Sequence, residues 1–171
     1  MKDISQLSDE FSRFYEILKT KLVEAQQHAT EFMHDDAIDR IEIPPEARNT
    51  YQFVEYSNSI QVKKAEMIGN EIKSSVFSEL LVGGDDPKWK DVPVGAFLEW
   101  GTGRLGEESN IYEHGYDYTT IEPWDMHTWL QYQQTGSWGI IARPHLYPAF
   151  LHAHNVLEAN IEEAVEEAWT E

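Results

Sequence analysis

Two carboxylates, Glu99 and Asp125, lie in a stretch that also holds Trp89, Trp100, Trp124, Trp129 and Trp138, five of the six tryptophans. Glycosidases work with two Asp or Glu side chains about 5–10 Å apart, and aromatic rings offer sugars a flat apolar face. A carbohydrate hydrolase is therefore the enzyme these residues would make. The chain carries 31 acidic residues, however, so a carboxylate pair beside an aromatic arises by chance. Glu99 also stands inside the most apolar run, Val94-Gly95-Ala96-Phe97-Leu98-Glu99-Trp100. A carboxylate there is exposed at an edge, paired with a cation such as Arg143 or Arg104, or catalytic with a raised pKa. The sequence leaves all three open.

His145, His152 and His154 cluster near the C-terminus. Metal ligands on one helix favour i,i+4 spacing, and separations of seven and two do not converge. They read as incidental surface or interface histidines. There is no cysteine, which excludes Cys nucleophiles, Cys-based zinc sites and disulfide frameworks. The chain has no P-loop, no GxGxxG and no Gly-x-Ser-x-Gly elbow. The expectation is no catalytic residue, no cofactor and no metal.

The elements that would hold these side chains follow from periodicity. Residues 1–43 read as one long helix, with Ser8 as cap and Leu7, Phe11, Phe14, Leu18, Leu22, Ala25, Ala29 and Phe32 as its apolar stripe. Ile41-Glu42-Ile43-Pro44-Pro45 ends it. So long a helix packs only partly on its own core, which leaves part of the stripe for another subunit. Residues 46–58 read as a short helix. Ser59–Lys63 and Glu71–Phe77 read as strands pairing across Gly69-Asn70. Gly83–Pro87 is a loop, and Val94–Trp100 reads as a buried strand stopped by Gly101-Thr102-Gly103. A long loop covers about 102–123, the kind that is functional or orders on a partner. A short helix over Pro123–Gln134 and a short strand at Ile140–Arg143 follow. Pro144 or Pro148 opens a terminal helix with the stripe Phe150, His154, Leu157, Ile161, Val165 and Ala168. Its glutamates fill much of the opposite face, at the end where the helix dipole disfavours them. The fold class expected is α+β: a long N-terminal helix, a small mainly antiparallel sheet, and a C-terminal helix packed on the sheet, in a single domain spanning 1–171.

Composition narrows the function. The 13 Lys and Arg against 31 Asp and Glu give a net charge of −18, with 41% apolar and 12% aromatic residues. That is enough apolar matter for a core, and a field that repels nucleic acid and anionic lipid. No run approaches the roughly 18 apolar residues of a membrane span, and Met1–Ser5 holds no apolar signal region. A soluble protein is expected. Trp124, Trp129, Trp138, Tyr116 and Tyr118 are candidate interface residues, since aromatics are enriched there, and the tryptophans read equally as filling the core of a small α+β domain.

One ordered pattern goes further. Pro93-Val-Gly-Ala-Phe-Leu-Glu-Trp-Gly-Thr-Gly103 is followed by Ile141-Ala-Arg-Pro-His-Leu-Tyr-Pro-Ala-Phe150 and an acidic helix. This resembles the minor tail-component family of long-tailed double-stranded DNA phages. Its members have an aliphatic–Glu–aromatic–Gly–Thr turn and, later, an Ala-Arg-Pro-x-Leu-x-Pro-Ala start to the terminal helix. The family usually carries Phe where His145 stands. The structural motif is then Glu99, Trp100, Gly101, Thr102, Gly103, Arg143, Pro144 and Pro148. Gly101 and Gly103 let the chain turn sharply, Glu99 and Arg143 are candidates for a charge pair, and the two prolines pre-set the helix start.

The resemblance implies a non-enzymatic virion protein of the head–tail connector, made in the bacterial cytoplasm and built into the neck. Its partners would be itself, in a ring that is often hexameric, and neighbouring head-closure, tail-terminator or portal-side proteins. DNA would pass through without specific binding, and no membrane is involved. Two rivals stand beside it: the hydrolase using Glu99 and Asp125, and an acidic DNA mimic. The chain has no long run of consecutive acids to favour the mimic.

Overall fold

The computed structural model of the chain describes residues 4–41, 51–81, 94, 95, 99 and 145–170. Its elements are α1 (Ile4–Asp39), α2 (Tyr51–Ser59), β1 (Ile60–Ile68), β2 (Glu71–Ser78) and α3 (Leu146–Thr170). The arrangement is α+β: a long N-terminal helix, a two-stranded antiparallel sheet, and a C-terminal helix packed with them. The described chain falls into two compact units.

The first unit comprises Met1–His34, Val62–Val76 and Phe150–Glu171. The two strands turn at Gly69-Asn70, where Gly69 has φ +65. Both tight hairpin turns, I′ and II′, need a positive φ at that first central residue, and glycine supplies it without a Cβ clash. In such a hairpin Ile68 and Glu71 exchange hydrogen bonds, so by alternation the N–H of Ala65 points away from β2. Gln27 of α1 accepts it through Oε1 at 2.7 Å, covering an edge donor that another chain might otherwise pair with. Thr30, also on α1, is buried; its hydroxyl donates to the Gln26 carbonyl at 2.7 Å and meets the Ser74 hydroxyl on β2. Gln26 donates to the same Ser74 oxygen at 2.9 Å. Gln26, Gln27, Thr30 and Ser74 thus each have a partner, as burial requires.

Helices α1 and α3 meet through small residues. Ala25 and Ala29 are buried on α1, and Ala153, Ala164 and Ala168 on α3. The α3 face differs from the expected stripe: Phe150 and Ile161 are exposed and His154 lies at the surface. Alanine faces let two helix axes come closer than bulky stripes do. Asn160 fits the interface by donating to the Ala25 carbonyl at 3.4 Å and meeting His28 Nδ1 at 3.0 Å. Lys21 and Glu167 pair at 2.7 Å, so one glutamate of the acidic helix end is neutralised by α1. The N-terminus of α1 also departs from expectation. The helix is already formed at Ile4, and Ser8 is no cap: its carbonyl accepts the Ser12 hydroxyl at 2.9 Å within the helix.

The second unit comprises Asp35–Gln61 and Phe77–Ala149. Here α1 stops at Asp39, before the prolines expected to end it. Arg40 grips Asp36 at 2.9 Å, and Ile41 N–H bonds the Ile38 carbonyl at 3.1 Å in a tightened last turn. The Ser59 hydroxyl, at the end of α2, donates to the Tyr56 carbonyl at 2.6 Å and meets the Ser78 hydroxyl at 2.6 Å. Val94 N–H donates to the Leu80 carbonyl at 2.9 Å.

The expected strand at Val94–Trp100 is not observed. Val94, Gly95 and Glu99 have helical backbone and all three are buried. A strand would send Val94 and Gly95 to opposite faces, whereas a helix turns 94, 95 and 99 toward one side. Short apolar runs fit either period. The loops at Gly83–Pro87 and about 102–123, the helix over Pro123–Gln134 and the strand at Ile140–Arg143 lie outside the described residues. Among the described residues no helix is long and apolar enough to cross a membrane.

Candidate functional site

The start of α3 poses a physical problem. A helix leaves its first four N–H groups without intrahelical partners, and His145, at the cap position, is not one of the residues that caps well. Glu99 solves it from elsewhere in the chain. Its Oε2 accepts the N–H of His145 at 2.8 Å and of Leu146 at 2.9 Å, and Oε1 accepts that of Tyr147 at 3.0 Å. The fourth position is Pro148, which has no N–H. The next amide, Ala149, already makes the first helical bond, to the His145 carbonyl at 3.3 Å. All four amide positions are accounted for by one carboxylate and one proline.

The carboxylate is 3% exposed and His145 1%. The imidazole closes on it, with Nδ1 at 3.1 Å from Glu99 Oε2. Its other nitrogen, Nε2, lies 3.1 Å from the Tyr56 hydroxyl of α2. The Tyr56 and His145 rings meet edge to face, centroids 5.4 Å apart at 86°, a favoured aromatic geometry. Three elements are therefore tied by a chain of carboxylate, imidazole and phenol. Gly95 makes room for it: a Cβ there would fall 2.6 Å from Tyr56 Cζ and 2.9 Å from its Cε2.

Burial and the neighbouring groups shift two members of this chain. Burial pushes the Glu99 carboxyl up, but the hydrogen bond and charge of His145 and the amides of His145 and Leu146 outweigh it, and the group is held below its usual range. A general acid needs the opposite shift. Burial, and then the Glu99 charge, push the Tyr56 phenol above its ordinary range, whereas an activated nucleophile is depressed. The carboxylate–imidazole–hydroxyl sequence has the connectivity of a catalytic relay. Its carboxylate and imidazole are both buried.

Several expectations are corrected here. Glu99 is buried rather than edge-exposed, its carboxyl is held below rather than above its usual range, and it bonds the imidazole of His145, while the pairing expected with Arg143 or Arg104 falls on residues outside those described. His145 is not incidental, while His152 and His154 are exposed, as incidental surface histidines would be. His154 meets Glu158 at 3.4 Å. Pro148 stands in the first turn as expected. Trp100, Gly101, Thr102, Gly103, Arg104, Tyr116, Tyr118, Trp124, Asp125, Trp129, Trp138, Arg143 and Pro144 lie outside the described residues. Tyr56 was not marked by any sequence motif, and Gly95, inside the 93–103 segment, was given no role there. Among the described residues no group of His, Asp and Glu is placed to hold a metal.

The chain matches no protein-family model, no curated protein and no solved structure.

Proposed function

We propose that this chain is a structural virion protein of the neck of long-tailed phages, acting by ring assembly around the DNA channel and joining head to tail. The observation that carries the reading is the cap on α3. The resemblance rests on two separate segments, 93–103 and 141–150, and the carboxylate of the first bonds three successive amides of the second. Two motifs that share one mechanical task have a physical reason to occur together and in that order.

The charge of −18 supports the same reading. DNA sliding through a ring is stalled by basic walls and repelled by acidic ones, so the acidity belongs partly on the channel face. The partners are further copies of the chain and the adjoining head-closure, tail-terminator or portal-side proteins. The protein is made in the host cytoplasm and ends in the virion.

Electron microscopy of the purified protein, alone and mixed with the neck proteins encoded beside it, tests this. Rings, or binding to one of those proteins, are expected. A monodisperse monomer at high concentration that binds none of them overturns the reading. A ring with a neutral or basic lumen would overturn the role given to the charge.

A further inference from the structure

The apolar stripe of α1 is longer than its cover. Ala25, Ala29 and Ala37 on that helix are buried. Toward the N-terminus, Ile4 is 84% exposed, Phe11 61% and Tyr15 59%, with Leu7 also exposed. These residues follow at spacings of three and four, so they share one face. Trp169, 66% exposed, stacks on Phe14 at a centroid distance of 4.4 Å and extends the patch onto the end of α3. The three exposed aromatics alone present about 370 Å² at roughly 200 Å² per ring residue. Ile4 and Leu7 bring the patch past about 500 Å², the upper range that monomers leave open and over half of one side of a stable interface.

Charge identifies the occupant. Residues 4–22 hold three acids, Asp9, Glu10 and Glu16, and three bases, Arg13, Lys19 and Lys21. The segment is neutral, and the rest of the chain carries the entire −18. A basic partner would be drawn to the acidic surfaces, and an anionic membrane finds no net positive charge beside the stripe. A second copy meets the reverse situation. Two molecules of charge −18 repel everywhere except where the surface is neutral and apolar, and this face is both. We propose that the first turns of α1, with Phe11 and Tyr15 at their centre, form the contact between two copies of this chain. It supplies a surface for the ring proposed above, but rests on exposure and charge alone.

Sedimentation velocity on the full chain, from about 5 to 200 µM in low salt and in about 0.5 M NaCl, tests it. Wild type associates, and more tightly in high salt, because screening removes repulsion while the apolar contact remains. Phe11→Asp with Tyr15→Asp weakens association at least tenfold with unchanged helix content. Ile68→Asp, which removes an exposed apolar side chain from the hairpin, leaves it unchanged. The inference is overturned by a wild type that stays monomeric in both salts, by a double variant that associates like wild type, or by an equal loss in Ile68→Asp. Rings unaffected by the double substitution would overturn this contact and leave the neck reading standing. Dimers sensitive to it, in a protein that binds no neck protein, would do the reverse.

Discussion

Glu99→Gln keeps the size and shape of the capping side chain and removes its charge. With the amide oxygen placed where Oε2 stands, the bonds from His145 and Leu146 survive in neutral form, each weaker by about 1 kcal/mol. The amide NH₂ then faces the Tyr147 N–H, donor against donor. A buried donor without a partner costs about 1–3 kcal/mol, and the lost attraction of a carboxylate to the helix N-terminus adds up to about 1 kcal/mol. The terms sum to about 3–6 kcal/mol, and because Tyr147 is only half-buried the lower part, about 3–4 kcal/mol at pH 7, is expected. In urea melts followed by circular dichroism this lowers the midpoint by roughly 1–2 M, and in thermal melts by about 10 °C. The pH dependence carries a second signature. The folded carboxyl is held below its ordinary value near 4.5, so its stabilisation is fully present above that value and is lost as pH falls through the folded pKa. The gap between wild type and variant must therefore narrow in acid. A midpoint within about 0.3 M of wild type at pH 7, or a gap that widens on acidification, would refute the cap.

Other substitutions probe the parts around it. Tyr56→Phe removes the partner of His145 Nε2 and keeps the ring, for an expected loss of about 1–2 kcal/mol in urea melts. Gly95→Ala drives a methyl into the Tyr56 ring and should lose about 2–3 kcal/mol; in a Tyr56→Ala background the same change should lose much less, a non-additivity that a double-mutant cycle measures. Gly69 has nothing within 4 Å of an added Cβ but a φ of +65. Gly69→Ala should then lose about 1 kcal/mol from backbone strain alone, and Gly69→Asn less, since Asn tolerates the left-handed region.

Elements with a strong local signal were legible in the sequence. The hairpin followed from β-branched alternation around Gly69-Asn70, and α1 and α3 from apolar residues three and four apart. The face α3 buries was legible in part: Ala168 is buried and Leu157 and Val165 half-buried as the stripe predicted, whereas Phe150 and Ile161, which hydrophobicity ranks above alanine, are exposed and Ala153 and Ala164 are buried instead. The helical backbone at Val94, Gly95 and Glu99 was hidden because a seven-residue apolar run satisfies a buried strand and a buried helix equally. The Glu99–His145–Tyr56 chain spans residues up to 89 positions apart, and no local pattern encodes such a contact. Two signs did point toward it. One is a terminal helix whose start, His145-Leu146-Tyr147-Pro148, contains no good cap; the other is a lone carboxylate inside an apolar run. An uncapped helix and an orphan acid are complementary deficits, and read together they predict each other.

The cap also acts as a clasp on the chain. Glu99 and His145 are 46 positions apart in sequence and 2.8 Å apart in space, so the segment between them leaves and returns at one point. The entropy of closing such a loop grows only with the logarithm of its length, and doubling it changes that cost by about 0.6 kcal/mol. The clasp therefore fixes the two ends, residues 99 and 145, and a change in the number of residues between them would alter the cost of closing the loop only slightly.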